Sequence, residues 1–210
     1  LRAGELAAGL VSITEVLFND LYDILDGVAV ASDGPVKSVF VAHKKPLEQV
    51  EVIHCDTASL SSVNLLKVTL AKRGLSPRLE PFGDYDRAAE RDAVLLIGNP
   101  GLEFLRSRHD HKILDLGQAW REDTGLPFVF AVWAINKEVP KDRASYLENV
   151  LYTCVDEGLE HMYVIGQTRE DVRMSSKDIV DYYQGIRYWA GVGELKAIAL
   201  FRDLVSKLEA

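Results

Sequence analysis

The strongest constraint in this chain is a change of rhythm near residue 140. Ahead of Pro140, short apolar runs alternate with stretches of helical periodicity; behind it, helical periodicity runs almost unbroken to the end. Short strands separated by helices bury their apolar faces in layers, so an α/β body followed by a helical tail is expected. The spacing predicts strands over Gly9–Ile13, Val28–Ala31, Ser38–His43, Val50–His54, Val94–Ile97 and Phe128–Ile135. Ser61–Lys72 is the clearest early helix. Val63, Leu66 and Leu70 share one face, Lys72 and Arg73 suit its carboxyl end, and Gly74 stops it. Residues 115–123 form a shorter helix ahead of the Gly125-Leu126-Pro127 turn, and Arg143–Gly158, Ser176–Tyr183 and Glu194–Leu208 make up the tail. The run "GLPFVFAVWAI", residues 125–135, is either a central strand buried on both faces or one long enough to lead from one lobe back to another.

Length and charge exclude several function classes. At 210 residues and 48% hydrophobic, the chain suits one large domain or two small lobes, each with its own core. A formal net charge of −8 argues against sequence-independent nucleic-acid binding, which needs a basic face. Cys55 and Cys154 stand apart with no Cys/His ligand spacing, so neither a disulfide framework nor a structural zinc site is expected. No apolar run approaches a membrane span and the start has no signal-peptide core, so the chain reads as cytoplasmic. That start, "LRAGEL", reads as the end of a helix stopped at Gly4, which raises the expectation that a segment precedes it.

Three stretches can carry chemistry. In "CDTASLSSVNLL", Thr57, Ser59, Ser61 and Ser62 place four hydroxyls within six residues where a strand hands over to a helix. One hydroxyl there caps the helix. The surplus allows a second reading, in which hydroxyls and unpaired helix N–H groups grip a carboxylate or phosphate. In "SDGPVKSVFVAHKKPL", turn residues Asp33-Gly34-Pro35 lead to Ser38 at a strand start, where a hydroxyl can face a cleft. "LLIGNPGLEF" reads as a buried strand ending in a turn at the carboxyl edge of a sheet, a common ligand position, although it lacks the dinucleotide and P-loop patterns. Gly191-Val192-Gly193 reads as a turn between helices. His109-Asp110-His111 reads as a solvated loop, while His43 and His54 lie at strand ends from which either could reach a cleft. No strong general base stands out.

Taken together, "SDGPVKSV", "DTASLSSVNLL", "LLIGNPGL" and "WREDTGLPFVFAVWA" occur in the order and spacing of the chorismate dehydratases of the futalosine route to menaquinone, and the chain resembles that family over nearly its whole length. The resemblance implies a two-lobed α/β fold of the type II periplasmic-binding-protein kind, with a ligand cleft between lobes. Residues 1–43 and 133–210 would form one lobe and 44–132 the other, with Val39–His43 and Phe128–Ala134 as crossing strands. It also implies a hydro-lyase that removes water from the dicarboxylate chorismate to give 3-[(1-carboxyvinyl)oxy]benzoate, without metal or cofactor. Ser38 matches a family site serine. Thr57, Ser59, Ser61, Ser62 and Asn99 would bind substrate, and a substrate carboxylate would take the ring proton.

Asn99 and Gly101 depart from the family's usual Asp and Ala, and the opening "YLN"-like motif with its site asparagine has no counterpart here. Two other functions share the frame: the sibling enzyme that cleaves cyclic dehypoxanthine futalosine, and a non-enzymatic solute-binding protein.

Overall fold

The structure is a computed structural model that describes residues 1–167 and 174–208. In chain order, β1 (Ala8–Ser12), α1 (Ile13–Leu17) and β2 (Tyr22–Ser32) lead to β3 (Val39–His43), β4 (Val52–Asp56), α2 (Leu60–Lys72) and β5 (Arg78–Phe82). Then come β6 (Ala93–Ile97), α3 (Asn99–Arg106), β7 (Lys112–Asp115), α4 (Leu116–Thr124) and β8 (Phe128–Asn136). The tail carries α5 (Lys141–Glu160), α6 (Met162–Gln167), α7 (Ser176–Tyr183), β9 (Arg187–Trp189) and α8 (Val192–Leu208).

The strands form two sheets. The first, in the order β1-β8-β2-β9, is antiparallel throughout. The second, in the order β5-β4-β6-β3-β7, has β5, β4 and β6 parallel and β3 antiparallel to both its neighbours. The long run at 128–136 is one of the two inner strands of the first sheet, paired on both sides. Its near-continuous apolar character follows from that position.

Sheet membership locates where the chain passes between the two sheets. Val39–His43 pairs wholly within the second sheet and Phe128–Asn136 wholly within the first, so neither strand spans the two. The chain changes sheet in the segments that precede them, at residues 33–38 and 116–127.

Three strands escaped the sequence reading, and all three are edges. β5 contains Pro81, which an edge strand tolerates because one side of its backbone needs no partner. β7 and β9 are four and three residues long, with mixed polarity. Other expectations also change. The "GNPG" turn is the start of α3, with Gly98 at positive φ as its cap and Pro100 in its first turn, where the missing N–H costs nothing. Gly191–Gly193 opens α8. Residues 1–4 make a turn, closed by Gly4 N–H to the Leu1 carbonyl at 2.9 Å, with Gly4 at positive φ.

One buried cluster joins the two sheets. Leu65 and Leu66 of α2, Trp120 of α4, Phe128 and Val132 of β8, and Phe201 and Val205 of α8 all belong to it. Trp120 is its pivot: 1% exposed, it sits edge-on to Phe128 and Phe201 with centroids 5.2 and 6.0 Å away. Its indole N–H donates to the Pro127 carbonyl at 3.0 Å, so burial leaves no polar atom unpaired.

Candidate active site

The candidate segments meet at one end of the second sheet. β4 and β6 run parallel, so Asp56 and Ile97 end at the same edge. β3 runs the other way, and the pairing of Val39 with Ile97 brings its start to that edge. Ser38, the 57–62 junction and Asn99 therefore share the carboxyl edge of a sheet, with β6 between the first two. His43 stands at the opposite end of β3, paired with Lys112 and Ala93, and its Nδ1 is bonded to the Lys45 carbonyl at 2.7 Å. His54 lies mid-strand beside Val94, its ring edge-on to Phe82. Both histidines are removed from the site.

Ser38 is mounted on an unusually constrained segment. Asp33 is paired with Arg121 at 2.8 Å and Arg187 at 3.2 Å. The Ser32 hydroxyl donates to the Gly34 carbonyl at 3.0 Å. Gly117 lies so close that an added Cβ would stand 2.5 Å from the Gly34 oxygen. The N–H groups of Val36 and Lys37 both donate to the Asp115 carboxylate, at 3.1 and 2.7 Å. Successive N–H groups form an anion-binding concavity of this kind when one residue adopts the left-handed conformation. Lys37 does so, at φ 65°, alone among the non-glycine residues described. Such strain persists only where surrounding bonds over-determine it.

The backbone of Ser38 is fixed as well, since its carbonyl accepts from Gly98 N–H at 2.7 Å. An added Cβ at Gly101 would approach that same carbonyl to 3.1 Å, a space the family's more frequent alanine would have to enter. The Ser38 side chain is 3% exposed, and its Oγ accepts from the Tyr182 hydroxyl at 2.9 Å.

The hydroxyl junction is organised differently. Ser59 is the cap of α2 and accepts from Ser62 N–H at 3.3 Å and from the Ser62 hydroxyl at 3.2 Å. The hydroxyls of Ser61 and Ser12 lie 2.5 Å apart, Ser61 N–H donates to Ser12 Oγ at 3.0 Å, and Thr14 N–H donates to Ser61 Oγ at 3.3 Å. The N–H groups of Ser61 and Ser62 and three of the four hydroxyls are thus engaged within the fold, and Ser61 and Ser62 are buried. Thr57 is exposed. The capping reading accounts for Ser59, and a tie to the first sheet accounts for Ser61.

Residues beyond the expected set complete the edge. Asp56, 1% exposed, accepts from Ala58 N–H at 2.9 Å, the local turn that an aspartate at a strand end favours. Tyr85 is raised above its ordinary pKa, first by burial and then by Asp56. Asn99 is exposed beside a cavity of about 680 Å³ that Tyr85, Glu103, Phe104, Arg106 and Arg108 also line. The 109–111 stretch is no solvated loop. His109 stacks on Phe104 at 4.5 Å, and buried His111 is bonded to the Arg91 carbonyl at 2.7 Å. Among the described residues no group of three or more His, Cys, Asp or Glu side chains could hold a metal ion.

Comparison with known proteins follows this geometry. A family model described as menaquinone biosynthesis matches residues 1–207. A chorismate dehydratase of Thermus thermophilus is 34% identical over 161 residues, which cover 69% of this chain and 59% of the relative's length. A crystal structure of an Archaeoglobus fulgidus protein matches at a TM-score of 0.66 and 18% identity, over 99% of this chain and 81% of that one. A Candida albicans gene product described as exhibiting the generic periplasmic binding protein structural fold matches at 0.58 and 12%, over 99% and 74%. At such identities the structural likeness shows the fold alone, and that fold is the two-lobed α/β architecture of periplasmic binding proteins.

Proposed function

The chain belongs to the menaquinone-biosynthesis family, and on that premise we propose that it is a chorismate dehydratase: a hydro-lyase of the futalosine pathway that removes water from chorismate to give 3-[(1-carboxyvinyl)oxy]benzoate. The identity with the Thermus enzyme carries this reading. The convergence of Ser38, the 57–62 junction and Asn99 on one sheet edge supports it.

The reaction takes a proton from one ring carbon and a hydroxyl from its neighbour, leaving an aromatic ring and one water. Aromatisation supplies much of the driving force, so the protein's work is to orient a dianion and assist the departing hydroxyl. Ser38 is assigned to hydrogen-bond the substrate at the reacting ring. Thr57 and Asn99, both exposed at the edge, contact a carboxylate, with Ser59, Ser61 and Ser62 holding the junction that presents Thr57. A substrate carboxylate accepts the ring proton.

We place the protein in the cytoplasm. The two free thiols, Cys55 buried and Cys154 exposed, suit a reducing compartment, and no described helix is long and apolar enough to cross a membrane. The lobes are assigned by sheet, residues 1–32, 128–167 and 174–208 to one and 39–115 to the other. Offering the full-length protein chorismate and cyclic dehypoxanthine futalosine side by side tests the function. Conversion of chorismate alone is expected. Conversion of the second compound alone would assign the sibling activity, and tight binding without conversion would assign a solute-binding role.

A further inference from the structure

We infer that Tyr182 is a positioning residue of this active site, holding the Ser38 hydroxyl so that its proton points at the ligand. The inference rests on the dehydratase reading and adds a residue to it.

A serine hydroxyl has one proton and can rotate to use it in several directions. In this structure the Tyr182 hydroxyl donates to Ser38 Oγ at 2.9 Å. Filling that acceptor position with an outside donor leaves the Ser38 proton to be given elsewhere. The Ser38 backbone is already fixed on both sides, by the Asp115-bound amides of Val36 and Lys37 before it and by Gly98 N–H on its carbonyl. With the backbone held, the remaining freedom of the group is rotation of its side chain, and Tyr182 removes it. Preorganised donors of this kind act without reorienting when charge develops on a leaving group.

Tyr182 is delivered with comparable care. It lies on α7, capped by Ser175, whose Oγ accepts from Asp178 N–H at 3.2 Å. One turn before Tyr182, on the same face, Asp178 is ion-paired with Arg106 at the end of α3. Ile179 between them is buried. α7 is thus clipped to the second sheet's ligand edge at two points, one at α3 and one at Ser38. Burial raises the Tyr182 pKa above the ordinary value, so the phenol stays a donor at neutral pH.

The test is Tyr182→Phe in the full-length protein, which keeps the ring and deletes the hydroxyl. We expect kcat for chorismate to fall about tenfold, KM to change less than about twofold, and the melting temperature to hold. In a Ser38→Ala background the same substitution should cause no further loss of kcat, because the group it positions is gone. Undiminished kcat in Tyr182→Phe, or an equal loss with and without Ser38, would overturn the role while leaving the dehydratase reading intact. A wild-type protein that leaves chorismate unconverted would instead remove the dehydratase reading, and the role with it. Loosening the clip by Asp178→Asn should lower kcat by a smaller factor, and an Asp178→Asn kcat below that of Tyr182→Phe would also count against the assignment.

Discussion

Two hydroxyl-bearing segments reach the same edge of the second sheet, and they are built on opposite plans. The 57–62 junction is rich in hydroxyls and spends them on the fold itself: Ser59 on Ser62 within the helix start, Ser61 on Ser12 and Thr14 across to the first sheet and α1. The 33–38 segment ends in the single hydroxyl of Ser38. Its bonds reach Arg121, Arg187, Asp115, Gly98 and Tyr182, all distant in sequence. It also contains the left-handed Lys37. The hydroxyls of the junction serve a helix start and its tie to the neighbouring sheet, Ser59 satisfying an N–H of α2 and Ser61 one of α1. A single hydroxyl on a backbone held by distant partners is the pattern on which the role proposed for Ser38 rests.

That contrast can be broken by removing supports one at a time. Asp115→Ala should do most damage. It deletes the acceptor for Val36 and Lys37 N–H and the cap of α4, whose Gln118 N–H it binds at 3.0 Å. A loss of about 2–3 kcal/mol in denaturant unfolding and at least a tenfold fall in chorismate turnover are expected. Turnover near wild type would show that Ser38 needs no such mount.

Ser59→Ala should cost about 1 kcal/mol, the usual value of a helix cap, with little effect on turnover. A large loss of affinity at full stability, measured by calorimetry, would return Ser59 to direct ligand contact. Thr57→Val sharpens the same point from the other side. Affinity for chorismate should drop severalfold with stability unchanged, because the hydroxyl it removes is exposed.

Lys37→Gly should change stability by no more than about 1 kcal/mol, since glycine relieves the left-handed strain but frees the unfolded chain. Turnover should fall more than stability does, as the mount of Ser38 slackens. A parallel rise in both would mean that the strain has no bearing on the site.

The smallest effect expected is on alkaline stability. Burial raises the pKa of Tyr182 above the ordinary 10.0, so the unfolded chain loses that proton first as pH rises. Its contribution is fully present below about pH 10 and is lost as pH climbs through the raised folded value. Tyr188, pushed up to about 12 by burial, acts in the same direction. Tyr182→Phe should therefore flatten the alkaline fall in unfolding free energy without abolishing it, whereas Ser59→Ala should leave its slope unchanged. An unaltered slope in Tyr182→Phe would show that this phenol is not held neutral by the fold.

What the amino-acid sequence discloses follows the same division between local and distant causes. Inner strands such as β6 and β8 and the longer helices were legible because burial on both faces, caps and stop signals are written in neighbouring residues. The edge strands β5, β7 and β9 were not, since half-exposed backbone accepts Pro81, charge and short length. At the site, Ser38 and the 57–62 hydroxyls were visible as motifs. What each hydroxyl bonds to was not, because Tyr182 and Ser12 lie 144 and 49 residues away from their partners. The changes of sheet were hidden for a related reason: apolar strands advertise themselves, whereas the turn at 33–38 and the helix at 116–124 that carry the chain between sheets look like ordinary connectors.

Turnover of chorismate by the full-length protein and by its Ser38→Ala variant, with product followed chromatographically and melting recorded in parallel, bears most directly on the site. A fall of at least about tenfold with a melting temperature close to wild type is expected, because the substitution deletes one oriented hydrogen bond and little packing. Equal turnover by the two proteins would contradict the assignment of Ser38 and the dehydratase mechanism built on it.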